Sequence, residues 1–350
     1  MKYLRSIPAI LLLLFFTGCA VSTPESPVRP AAPPVRRADA GKIRARCARM
    51  RTVLAPLEIR SVGLHPRAFN LGYEPGTICG FVAGMGFNRV CFQISSESEL
   101  DERLAAFLTA AGQRNLTVDV LIRQDNFHPR TRGNRVIRDM RDAYPDPAQA
   151  VRCIQEFNKN LPEGAAKIQA VTILVEPHKF TAARQGFRQI YSWSEKCFGP
   201  GMDNDMLMKE ALELLKKVEP GDLELTVAFP DFYHELAVQG KLTVGKIRDF
   251  AQSNACVKNL MIMSAGNKPS QVASGIAGEL AAAGKDQRVI LGIELSGHTA
   301  NTGSTLRRRD HRDLIRILEF IVKTHRKSPA FKGIMISPLS VLEFLITEQD

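Results

Sequence analysis

Two short stretches hold the residues best suited to chemistry. In VTILVEPHKF (171–180) the apolar run Val171 to Val175 delivers Glu176 into Pro177 and His178, and in VILGIELSG (289–297) a similar run delivers Glu294. Carrying a carboxylate to the end of an apolar run costs desolvation, so its presence there asks for a cause. Two carboxyl groups facing one cavity can divide the labour of glycosidic-bond hydrolysis. One protonates the leaving oxygen while the other attacks or assists at the anomeric carbon. In the plainer alternative each carboxylate only marks the point where a strand meets water.

Other polar side chains crowd the same kind of position. His65 follows a first apolar run, Gln93 ends a second, and Arg123, Asp125, Asn126 and His128 follow a third. Glu176 and His178 follow the fourth, Asp231, Tyr233 and His234 the fifth, and Glu294, Ser296 and His298 the seventh. Five of the 7 histidines fall in these windows. His178, His234 and His298 are placed to hold and tune the two carboxyl groups, since a neighbouring imidazole shifts proton affinity. Tyr233 and His234 are candidate hydrogen-bond donors to Glu294. Trp193, with Tyr191, lies after the fourth run and could stack on sugar faces or anchor a loop. The long segment 123–147 is of a length that marks functional loops; its Arg130, Arg132 and Arg135 suit either an anionic substrate or solvent.

The elements that position these residues are short and repetitive. Apolar runs stand at 59–64, 89–94, 116–122, 170–175, 223–229, 257–263, 288–293 and 332–337. Their near-continuous apolarity fits parallel strands covered on both faces. Helical periods lie between them: Leu100, Leu104, Phe107, Leu108 and Ala111 after a capping Ser98, then Ile247, Phe250 and Ala251, then Leu314, Ile317, Leu318 and Ile321 with Arg307 to Arg309 and Arg312 on the wet side. Eight alternations predict an α/β fold, a single (β/α)8 TIM barrel over 42–350. A doubly wound sheet is the alternative, but no Gly-x-Gly-x-x-Gly follows the first strand. Residues 42–54 read as an extra helix that covers the barrel's bottom or ends the preceding tether.

A metal centre is the rival chemistry. Asp231 and His234, three apart, could bind a metal with His65, His128 and Glu176, as in xylose-isomerase-like barrels. The sixth and eighth runs, ending MIMSAG and MISPLS, supply no further ligand, so neither metal nor cofactor is expected. No Cys-x-x-Cys pair occurs, which disfavours structural zinc. Cys79, Cys91 and Cys256 sit among apolar neighbours and read as buried free thiols.

At the two glutamates the chain resembles glycoside hydrolase clan A, the cellulase-like barrels. The likeness also runs through Glu176-Pro177, through GMGFNRVCF (84–92), which is similar to the clan's GfNxVR second strand, and through the helix and strand at 100–122. The resemblance implies that Glu176 is the acid/base and Glu294 the nucleophile of a retaining glycosidase, with a carbohydrate substrate. Three positions depart from the clan: Val175 replaces the Asn before the acid/base, Cys91 replaces the second-strand Arg, and no aromatic platform surrounds Ser337-Pro338. These departures keep a non-catalytic glycan-binding barrel in view.

The N-terminal residues address the compartment. Lys2 and Arg5 precede the apolar run Ile7 to Phe16, and FTGC closes it at Cys19. This is the pattern of a secretory signal, too short to span a membrane. The Cys after Thr17-Gly18 resembles a bacterial lipobox, so Cys19 is the expected lipidation site. A signal peptide at 1–18 and a Pro/Ala-rich tether at 19–41 follow, with membrane association through the lipid anchor in the cell envelope. The net charge is +11. The first forty residues account for +3 of it (Lys2, Arg5, Arg29, Arg36 and Arg37 against Glu25 and Asp39), which leaves +8 to the rest. That suits an acidic glycan or an anionic lipid surface; nucleic acid is not an expected partner.

Overall fold

The eight apolar runs fold as eight parallel strands in a computed structural model of the chain. The structure describes residues 39–65, 73–94, 97–123, 131–132, 135–136, 147–175, 213–231, 254, 256–264, 268–284, 286–295 and 310–347. These belong to one compact unit, Arg37–Asp350; the other unit, Met1–Arg36, lies outside the described residues and with it Cys19. The first three strands are β1 (Ile59–Leu64), β2 (Arg89–Ile94) and β3 (Thr117–Arg123). A short antiparallel pair follows, β4 (Thr131–Arg132) and β5 (Arg135–Val136). The remaining five are β6 (Ile168–Leu174), β7 (Glu224–Pro230), β8 (Val257–Ser264), β9 (Arg288–Glu294) and β10 (Phe331–Ser337). The eight parallel strands close in the order β1-β10-β9-β8-β7-β6-β3-β2. This is the (β/α)8 barrel, with strand limits within two residues of the apolar runs.

Helices cover the outside. They are α1 (Ala40–Leu54), α2 (Pro75–Gly84), α3 (Glu102–Gly112), α4 (Pro147–Asn160), α5 (Pro269–Ser274), α6 (Ala277–Ala282), α7 (His311–His325) and α8 (Leu339–Thr347). The helix read at Ile247, Phe250 and Ala251 lies outside the described residues. α3 buries Leu104, Phe107, Leu108 and Ala111 as its period predicts. Its cap is Asp101 and not Ser98, which lies in a single 3-10 turn, Glu97–Glu99. The Asp101 carboxylate takes the N–H groups of Arg103 and Leu104 at 3.0 and 3.1 Å, and its charge suits the positive helix end better than a hydroxyl does.

α1 belongs to the helical layer. Met50, Val53 and Leu54 are buried in the same core as the outer strand faces. Three arginines fasten it. Arg46, buried, donates to the Ile346 carbonyl at 2.9 Å near the end of α8, and Arg51 donates to the Gly84 carbonyl at the end of α2 at 2.6 Å. Both arginines thus meet carbonyls left open at helix C-termini. Arg49 pairs with Glu319 of α7. The GFN motif is structural in the same region. Gly86 has φ +91°, and a Cβ there would lie 2.8 Å from the Arg51 Cα. Asn88 donates to the Glu58 carbonyl and accepts from the Arg60 N–H, both at 2.9 Å, which fixes the start of β1 against β2.

The barrel interior has an apolar layer and a charged floor. One residue per strand forms the layer: Ile59, Cys91, Leu121, Leu174, Ala228, Met261, Ile290 and Met335. Toward the strand starts, Arg89 meets Asp119 at 3.1 Å and Glu224 at 3.3 Å, and Arg288 meets Glu224 at 3.1 Å and Glu58 at 3.9 Å. Lys332 completes the series on Glu58 at 3.3 Å. Cys79 and Cys91 are free and buried as expected. Cys256 is exposed, a correction: it occupies the turn before β8, where Asn254 takes its N–H at 2.9 Å, and burial begins only at Val257.

Candidate active site

Strand alternation decides which strand-end residues share the barrel mouth. On β9, Ile290 belongs to the interior layer and Ile293 to the outer core, so Glu294 ends the inward series. Its Cα is level with Ser337 of β10, and the adjoining Leu295 N–H donates to the Ser337 carbonyl at 2.6 Å. The Ser337–Pro338 peptide is cis. On β1, His65 follows in phase with Ile59, Ser61 and Gly63, and on β2 Gln93 is in phase with Cys91. β9, β10, β1 and β2 are consecutive around the barrel. Glu294, Ser337, His65 and Gln93, all half-buried, therefore form one polar arc of the mouth. Glu294 and His65 also make further polar or electrostatic contacts.

The floor beneath this arc depends on missing side chains. A Cβ at Gly292 would lie 2.3 Å from the Met263 sulfur, so Met263 occupies the space below Glu294. A Cβ at Gly63 would lie 2.5 Å from the Ser337 hydroxyl. Across the barrel, Pro230 of β7 and Met263 of β8 are level with Gly292, one inward step below Glu294, and Leu174 of β6 is level with the interior layer.

Asp231 is not in the polar arc. Phe229 of β7 lies in the outer core, and Asp231 continues that outward phase. Its carboxylate accepts from Ser264 at 2.7 Å, and a Cβ at Gly275, just past α5, would lie 3.2 Å from it. Asp231 and Ser264 form a link between β7 and β8 on the helix side of the wall. Sequence reading missed Ser264 and Ser337; their one signal is a hydroxyl residue closing each run, in VKNLMIMS and KGIMIS.

The positions that depart from the clan pattern are dry. Cys91 is 2% exposed within the interior layer. Burial and the nearby Asp119 push its thiol well up, against smaller pulls from a Thr172 hydrogen bond and Arg89. Val175 is fully buried in the outer core. Arg123 ends β3 beside Leu174. Glu176, Asp125, His128, His178, Trp193, Tyr233, His234 and His298 lie outside the described residues. Glu176 directly follows Val175 in the sequence, and β6, which ends at Leu174, is three strands from β9 around the ring. Of the rival metal set only His65 and Asp231 are described, and they stand on different faces of the wall. Among the described residues no three His, Cys, Asp or Glu side chains converge as metal ligands.

No protein-family model matches this sequence, and no curated protein sequence does. Solved structures share the barrel at low identity. A GH99 endo-alpha-mannosidase from Bacteroides thetaiotaomicron is 12% identical, with 78% of this chain and 70% of that one covered and a TM-score of 0.38. The CBM22-1-GH10 modules of Clostridium thermocellum endo-1,4-beta-D-xylanase 10B are 11% identical with a TM-score of 0.40; 80% of this chain is covered but only 59% of that one. A HpcH/HpaI aldolase/citrate lyase family protein from Burkholderia cenocepacia is 14% identical, covered at 86% and 95%, with a TM-score of 0.33.

Proposed function

We propose that this chain is an exported, lipid-anchored glycoside hydrolase acting on a polysaccharide or oligosaccharide by a retaining mechanism. The observation that carries the reading is Glu294, a carboxylate ending the inward series of β9 in a polar arc with Ser337, His65 and Gln93. In the proposed mechanism the Glu294 carboxylate attacks the anomeric carbon as the glycosidic C–O bond breaks, forming a glycosyl ester. Glu176 gives its proton to the departing oxygen, then takes one from the water that hydrolyses the ester. No cofactor enters. Cys19 carries the anchor that holds the protein in the bacterial cell envelope.

The test is turnover on a panel of glycans and aryl glycosides. Glu294→Gln should lower hydrolysis by at least about a thousandfold with the melting temperature unchanged. Glu176→Ala should cost about 10²–10⁴-fold on unactivated glycans and little on aryl glycosides with good leaving groups, which need no proton. Full activity in Glu294→Gln would end the proposal. A second reading, a glycan-binding barrel without turnover, is favoured by Val175 and Cys91, whose burial leaves no sugar contact at either position. Binding of a glycan that is never cleaved would select it.

A further inference from the structure

We infer that the outer face built by α1 and α7 docks on an anionic phospholipid surface. α7 buries Leu314, Ile317, Leu318 and Ile321 on one side. Its other side carries Arg312, Arg316, Phe320 and Lys323, all exposed and spaced three or four residues apart, so they share one stripe, and the exposed Lys327 follows in the turn just past the helix. Phe320 is 41% exposed in the middle of that stripe. An aromatic ring flanked by long basic side chains is the arrangement of an interfacial helix. The ring enters the acyl boundary while the cationic heads meet phosphates.

The neighbouring α1 extends the same charge. It packs on α7, where Arg49 pairs with Glu319, and it adds the exposed Lys42 and Arg44. Together, 39–54 and 310–327 hold ten Lys or Arg against four Asp or Glu; Arg46 is buried and Arg51 is held on the Gly84 carbonyl, which leaves eight for the face. The four acids are already engaged. Glu319 is on Arg49, Asp313 on Arg316 at 3.3 Å, and Asp39 and Asp310 accept N–H groups of their own helices. With Arg49 and Arg316 taken up by these pairs, the face still presents the exposed Lys42, Arg44, Arg312, Lys323, Arg326 and Lys327, complementary to phosphatidylserine or phosphatidylglycerol headgroups. α1 begins at Ala40, and in the sequence the Pro/Ala-rich stretch after Cys19 immediately precedes it. None of the mouth residues takes part, so this surface stands or falls independently of the carboxylate chemistry.

The experiment is co-sedimentation of the full chain with phosphatidylserine–phosphatidylcholine vesicles and with phosphatidylcholine alone. The parent should favour the anionic vesicles by about tenfold or more, and the preference should fade between about 0.05 and 0.5 M salt. Replacing Arg312, Arg316, Lys323 and Lys327 together by Gln should remove that preference and leave the neutral vesicles unaffected; Phe320→Ser should weaken anionic binding severalfold. Thermal unfolding checks the fold of each variant. If the quadruple variant melts early, Lys323→Gln and Lys327→Gln singly, at the exposed end of the stripe, should each give part of the loss. A parent indifferent to lipid charge, variants that bind like the parent, or a stripe that retains soluble heparin but no vesicles would overturn the inference.

Discussion

Asp119 sits inside the barrel with Oδ2 on Arg89 and Oδ1 without a hydrogen-bond partner. Burial raises its pKa from 3.8 to about 6, against the downward pull of Arg89. The folded protein therefore holds this proton more tightly than the unfolded chain. The resulting stability is fully present below pH 4 and lost as pH rises through 6; at about 1.4 kcal/mol per pKa unit it is on the order of 3 kcal/mol. Asp119→Asn should remove this part of the pH dependence. Urea unfolding from pH 4 to pH 7 should show a loss in the parent that is missing in the variant, and equal slopes would clear Asp119 of the effect. The same scale separates Glu294 from Asp231. Both end an apolar run in the sequence, yet one closes an inward series and the other is held by Ser264 on the helix side. Asp231→Asn should accordingly lower the melting temperature more than it changes KM, as a kinetic and thermal comparison would read directly.

Among the elements, β10 makes the closest backbone approach. A Cβ at Gly333 would lie 1.8 Å from the Ile59 carbonyl oxygen of β1, a main-chain atom with nowhere to go. Gly333→Ala should destabilise by roughly 3 kcal/mol or more, or prevent soluble expression, because it pries the closing strand pair apart. Gly292→Ala meets only the end of the flexible Met263 side chain, so the fold should survive while the mouth floor shifts; denaturant midpoints for the two variants test the contrast. The strands are legible in the sequence because each is apolar on both faces, one toward the helices and one toward the interior layer. That same double burial erases the two-residue alternation that would have told inward from outward at Asp231 and Glu294. Helix faces are legible from their period, whereas the α3 cap is not, since Leu100 reads as the first apolar position of the period and yet lies before the cap at Asp101. The charged floor is hidden for a related reason: Arg89, Glu224, Arg288 and Lys332 each read as the polar flank of an apolar run, and only closure brings them together.

For the whole molecule, location is the first expectation to check. Cys19→Ser should release the protein from the membrane fraction of cells, and unchanged retention would argue against a lipid anchor. The floor charges bear on how the barrel comes together. Asp119, Arg89, Glu224, Arg288, Glu58 and Lys332 come from β2, β3, β7 and β9, from the approach to β1 and from the last strand. Half a barrel holds Arg89 and Asp119 without Glu224, or Glu224 and Arg288 without Glu58. Such a fragment gains no dry core at its lower end, because its charges stay in water until the partners arrive from the far side of the chain. Closure is then nearly all or none: halves of this chain expressed separately have little reason to hold shape, and the barrel has little to gain from opening one strand at a time.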